Sequence, residues 1–159
     1  MRLSDLFVSV FSTNRIEAAR ESPGYKPNLR EVSDLLRSLQ EGSVSLGIFV
    51  YLRKNNGNVI IMDGLQRLIT LMLIAKVYGA YKFLFKEFRD LYGTFVLPPG
   101  DLETNSLTAI LCGDLPIAGT SVERVYNVIQ RHYFLDMDKS ATLVHLRESL
   151  VYMHEYPRA

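Results

Sequence analysis

The sequence predicts an α+β domain, and three features predict it. Two β-rich stretches, Leu46 to Arg53 and Asn58 to Met62, are joined across Asn56-Gly57, a strong hairpin signal. The segment after Gly64 is apolar on nearly every face, the mark of a buried helix. Further helical patterns lie on both sides of this pair. The expected architecture is a small sheet built on a hairpin at about 46–62 and packed against several helices, with residues 1–159 forming a single domain.

The elements follow in order. Met1 to Ser22 has weak helical character whose breaks the pattern does not place, and Gly24-Tyr25-Lys26-Pro27 reads as a turn. Asn28 caps a helix, with Glu31 three residues on in capping-box spacing. Leu29, Val32, Leu35, Leu36 and Leu39 share one face of that helix, and Gly42 ends it. The hairpin follows, turning at Lys54-Asn55-Asn56-Gly57. Gly64 opens the buried helix and Gly79 breaks it. A helix is expected over about 80–92, a short strand at 94–97, and a helix from Leu102 to Cys112. Thr120 with Glu123 caps the next helix, and a last one is expected from Ala141 to His154.

Composition bounds the function. With 48% hydrophobic residues, the 159-residue chain can bury a core. A formal net charge of +1 gives no global basic field of the kind that marks nucleic-acid binders, so any such contact must be local. The single cysteine, Cys112, excludes an internal disulfide and suits a reducing compartment. No apolar run is long enough for a membrane span and none at the N-terminus reads as a signal peptide, so an intracellular, cytoplasmic location is expected. His132, His145 and His154 have no metal-ligand spacing.

Chemistry concentrates at Asp63-Gly64-Leu65-Gln66-Arg67. A strand ends, a glycine follows and a helix begins, which aims backbone N–H groups and a positive helix end at one spot. Gln66, Arg67 and Thr70 are polar positions in the first turns of an otherwise apolar helix, and both Gln66 and Arg67 share a face with Thr70. An arginine near the N-terminus of a buried helix opposes the helix dipole, so it calls for an acidic partner or an anionic ligand. Two accounts follow: Gly64, Gln66, Arg67 and Thr70 bind a phosphate or nucleotide, or Asp63 is an N-cap and Arg67 its salt-bridge partner.

The stretch from Val59 to Leu71, centred on Asp63-Gly64-Leu65-Gln66-Arg67-Leu68, resembles the D-G-Q-Q-R-L-T-T-L signature of the ParB-like superfamily. Within it, the chain is similar to the N-terminal module of GmrSD-type modification-dependent restriction proteins. Leu65 replaces the first glutamine of the signature, and Tyr25-Lys26-Pro27 is all that stands for that family's N-terminal aromatic stretch. The resemblance implies phosphate chemistry in a nucleic-acid setting: nucleotide binding or hydrolysis in one branch, nuclease activity in another. Of the two branches, the reading here is weighted towards a stand-alone nuclease, and with it towards Glu87.

A nuclease needs a carboxylate, as metal ligand or general base. On the helix expected over 80–92, Lys82, Lys86 and Arg89 form a basic face and Asp90 has Lys86 four residues before it. Glu87 has no such partner and sits between the apolar stripe and the basic face, so it is the candidate catalytic acid and metal ligand, beside Asp63 and Arg67. A solvated glutamate at a helix rim is the alternative. Lys82, Lys86 and Arg89, with Arg53 and Lys54 at the hairpin tip, are candidate DNA-backbone contacts. The expected function is a DNA-directed nuclease using a divalent metal such as magnesium. The alternatives are a nucleotide-binding or NTP-hydrolysing module, and a non-catalytic DNA- or partner-binding domain.

Overall fold

The elements organise around the expected hairpin. The computed structural model describes residues 1–9, 16–19, 24–79, 95–96 and 102–157. In chain order they form α1 (Leu3–Ser9), β1 (Ile16–Ala18), α2 (Leu29–Glu41), β2 (Ser45–Arg53), β3 (Val59–Asp63), α3 (Leu65–Val77) and β4 (Phe95–Val96). Helices α4 (Leu102–Leu111), α5 (Ser121–Leu135) and α6 (Lys139–Glu148) and strand β5 (Leu150–Glu155) follow. The fold is α+β, with a five-stranded mixed sheet in the order β4-β1-β3-β2-β5. β2 and β3 pair antiparallel, while β1 pairs parallel with β3 and β4, and β5 parallel with β2.

The hairpin turn is a three-residue loop. Gly57 N–H donates to the Lys54 carbonyl at 2.9 Å, and Lys54 N–H to the Asn58 carbonyl at 2.8 Å. Gly57, at φ +88°, is the loop's one left-handed residue, so Asn55 and Asn56 form an ordinary turn ahead of it. Along the strands, burial alternates as a half-buried sheet requires. Val59 and Ile61 of β3 and Val151 of β5 enter the core, while Met62 and Tyr152 are exposed. In β2 the alternation slips: Leu46, Phe49 and Tyr51 are buried, with two residues between the first pair. The slip is a bulge, since Ser45 pairs with Leu150 but Ile48 pairs with Tyr152, leaving one extra residue on β2.

Helix α3 is the centre of the molecule. Leu65 and every residue from Leu68 to Ala75 are buried. It packs against α4 and α5, and α2 packs against α5 and α6. Each fully buried leucine or isoleucine here contributes about 1.5–3 kcal/mol, so α3 is held firmly against rotation or sliding. The caps of α2 and α5 are those expected. Asn28 Oδ1 accepts from Arg30 and Glu31 N–H at 3.0 and 3.2 Å, and Thr120 Oγ1 accepts from Glu123 N–H at 3.1 Å.

Two expectations are corrected. The last helix stops at Glu148 rather than running to His154, and 150–155 is a strand. Ser149 ends the helix: its hydroxyl donates to the His145 carbonyl at 2.6 Å and accepts from Val44 N–H at 3.2 Å. Leu150 N–H then bonds Val44 O at 2.9 Å, which starts β5 beside β2. In the N-terminal region, where weak helical character was expected with its breaks unplaced, Leu3–Ser9 is a helix and Ile16–Ala18 is a strand. The helix expected over 80–92 lies outside the described residues. Among those that are described, no helix is long and apolar enough to cross a membrane.

Candidate functional site

Arg67 is held by the bulge of β2. Its guanidinium donates to the Leu46 carbonyl and, at 3.1 Å, to the Ile48 carbonyl. These two carbonyls flank Gly47, whose φ is +79°, and a Cβ there would lie 2.5 Å from Arg67 Nη1. The same guanidinium carbon is 4.9 Å from the centre of the Phe49 ring, a cation–π distance. Phe49 in turn packs on Gly64, where a Cβ would meet its ring at 2.5 Å. Gly64 is the N-cap of α3 at φ +101°. The space beside its α-carbon is thus taken by Phe49, where the sequence suggested a ligand.

This arrangement decides one of the two accounts of the motif. Asp63 is exposed at the end of β3, and α3 has no side-chain cap. Among the described residues no carboxylate pairs with Arg67. Two backbone carbonyls and an aromatic face offset its charge instead. A guanidinium has five N–H donors, and two are engaged, so three remain.

Gln66 and Thr70 bind the protein itself. Gln66 Oε1 accepts from Lys26 N–H at 2.7 Å and Nε2 donates to the Gly24 carbonyl, so one side chain clamps the 24–26 backbone. Thr70 Oγ1 donates to the Gln66 carbonyl at 3.0 Å and is 2.6 Å from the Tyr25 hydroxyl. With its one proton used on Gln66 O, Thr70 accepts from Tyr25. Burial pushes the Tyr25 phenol well above its ordinary pKa, with nearby Glu103 adding to the rise, so it stays a neutral donor.

Lys26 and Arg67 thereby share the wall of a cleft of about 330 Å³ between α2, the start of β2 and α3. Its apolar lining comes from Pro27, Val32, Leu35, Leu46 and Leu71. Glu31 lines it too, and is the one carboxylate that does so among the described residues. The volume falls at the small end of the range for small-ligand sites.

The structure gathers Gln66, Arg67 and Thr70 at this cleft, and leaves Asp63 and Gly64 off its lining. Lys54 is paired with Glu17 at 2.8 Å, tying the hairpin tip to β1, and Arg53 lies 5.8 Å from the Tyr51 ring centre. Glu87, Lys82, Lys86 and Arg89 lie outside the described residues. Among those described, no group of three His, Cys, Asp or Glu could hold a metal ion. Glu103 is committed elsewhere, its carboxylate accepting from Ser121 and Val122 N–H at the start of α5 at 2.6 and 2.9 Å.

Sequence reasoning missed Gly47, Phe49 and the pairing of Tyr25 with Thr70. A lone glycine inside a strand pattern is a bulge signal, so Gly47 was readable in principle. Tyr25 and Thr70 are 45 residues apart and carried no local signal. No protein-family model matches the chain, and no curated protein matches it.

Proposed function

We propose that this chain binds a phosphorylated small molecule of the nucleotide class in the cleft between α2 and α3, with Arg67 and Lys26 taking the phosphates. The observation that carries the reading is Arg67 itself: it is fixed by two backbone carbonyls, has no carboxylate partner among the described residues, and keeps donors to spare beside Lys26. A rigidly held guanidinium with spare donors suits a phosphate. The apolar walls suit the flat face of a base. The resemblance to the ParB-like signature supports the same chemistry. Gln66 and Thr70 act in this reading as positioning residues: Gln66 holds the 24–26 backbone that carries Lys26, and Thr70 accepts from the Tyr25 hydroxyl next to it.

The nuclease reading, with its divalent metal, rests on Glu87, outside the described residues, whereas the binding reading rests on described side chains that line one cleft. Isothermal titration of ATP into the full chain tests it. Saturable binding that Lys26→Glu weakens by about tenfold or more, with an unchanged melting temperature, is the expected result. Lys26 is exposed, and its clamp bond runs through its backbone N–H, so this variant is expected to fold. Absence of binding in the wild type, alongside magnesium-dependent plasmid cleavage, would overturn the reading in favour of the nuclease.

A further inference from the structure

Asn28 and Glu31 have the spacing of a capping box, in which the glutamate folds back onto the backbone N–H of the cap residue. Only half of that box is made. Asn28 accepts from Arg30 and Glu31 N–H at 3.0 and 3.2 Å. Among the described residues, the Glu31 carboxylate forms no hydrogen bond and no ion pair, although it lines the same cleft as Lys26 and Arg67. The cap also uses two N–H groups at the start of α2, so this helix end offers little to an anion.

The cleft therefore presents two cations and one anion, none paired with another, around apolar walls. A ligand that is anionic all over, such as inorganic triphosphate, would satisfy Lys26 and Arg67 but be repelled by Glu31. A ligand with phosphates at one end, a flat apolar body and neutral N–H or O–H donors at the other would satisfy all three. We infer that Glu31 is the specificity-determining residue of the cleft, accepting hydrogen bonds from the sugar hydroxyls or base amino group of a nucleotide and discriminating against bare polyphosphate. The inference rests on the nucleotide reading and deepens it. A carboxylate accepting from sugar hydroxyls is a recurring device in dinucleotide sites, because its two oxygens match two neighbouring donors. Glu31 is exposed in the free chain, where water satisfies it; a bound ligand that covers the carboxylate without donating to it is penalised, which turns the contact into selectivity.

The test is a matrix of titrations on the full chain. Wild type, Glu31→Gln and Glu31→Ala are each titrated with ATP, 2′-deoxy-ATP, ITP and inorganic triphosphate, with melting temperature as the fold check. The expected result is a change of opposite sign: Glu31→Ala weakens ATP about tenfold or more and strengthens triphosphate several-fold. Glu31→Gln, which keeps an acceptor and loses the charge, falls between for ATP and matches Ala for triphosphate. Weaker wild-type binding of 2′-deoxy-ATP assigns the contact to the sugar, and weaker binding of ITP to the amino group. If Glu31→Ala moves ATP and triphosphate in the same direction, or moves neither, the role of Glu31 falls while Lys26-dependent ATP binding keeps the cleft. If the wild type binds no ATP, the nucleotide reading falls and this inference with it.

Discussion

Arg67 and Gly47 fit each other: the guanidinium lies where a side chain on residue 47 would be, bonded to the carbonyls on either side of it. The contact joins the first turns of the central helix to the bulge of β2, 20 residues earlier in the chain. It explains why a glycine sits inside a strand and why an arginine is tolerated on a buried helix. The first prediction tests this pairing by a double-mutant cycle. Gly47→Ala is expected to cost about 2–4 kcal/mol, from left-handed backbone strain together with the clash on Arg67. In an Arg67→Ala background the same change should cost about 1–2 kcal/mol, because only the backbone term remains. Denaturant unfolding of the four proteins measures it, and strict additivity would show that the two residues are not coupled.

The clamp on residues 24–26 gives the second prediction. Gln66→Met keeps the shape of the side chain but loses the bonds to Lys26 N–H and the Gly24 carbonyl. It should lower stability by about 1–3 kcal/mol. It should also weaken ATP binding more than the stability loss alone explains, because Lys26 is no longer held at the cleft. ATP affinity equal to wild type in the folded variant would detach Gln66 from the site.

The third prediction concerns pH. Asp136 is buried, which raises its pKa, but bonds from the Thr142 hydroxyl, Asp138 N–H and the Tyr78 hydroxyl outweigh burial and leave it below the ordinary carboxylate value. These bonds are 2.6, 3.0 and 2.9 Å long. A carboxylate with a depressed folded pKa stabilises the fold above its unfolded value of about 3.9, and that contribution is lost as pH falls through the folded value. Acid unfolding followed by circular dichroism should show Asp136→Asn less stable than wild type at pH 7, with the gap narrowing below about pH 4. A gap that is constant down to pH 2 would contradict it.

Much of the fold was legible because its signals are local. The Asn28 and Thr120 caps, the hairpin at Asn56-Gly57 and the apolar run of α3 each lie within a few residues. Strand β5 was not legible, since Leu150 to Glu155 continues a helical pattern and becomes a strand through a tertiary bond from Val44 to Ser149. At the site, Gln66, Arg67 and Thr70 stood out as polar positions on a buried helix. Their partners did not: the Leu46 and Ile48 carbonyls and the Lys26 amide are backbone groups with no side-chain code, and the Tyr25 hydroxyl lies 45 residues from Thr70. The helix dipole called for an acidic partner or an anion beside Arg67; backbone carbonyls stand there instead.

The central claim, that the cleft between α2 and α3 is where a nucleotide binds, is tested most directly by following the backbone amides of ¹⁵N-labelled protein by NMR as ATP is added. The account predicts that amides of Lys26, Glu31, Leu46, Gly47, Arg67 and Leu71 shift together along one saturable curve, while Asn55 to Gly57 at the hairpin tip stay still. Shifts confined to the hairpin tip, or none at millimolar ATP, would contradict it.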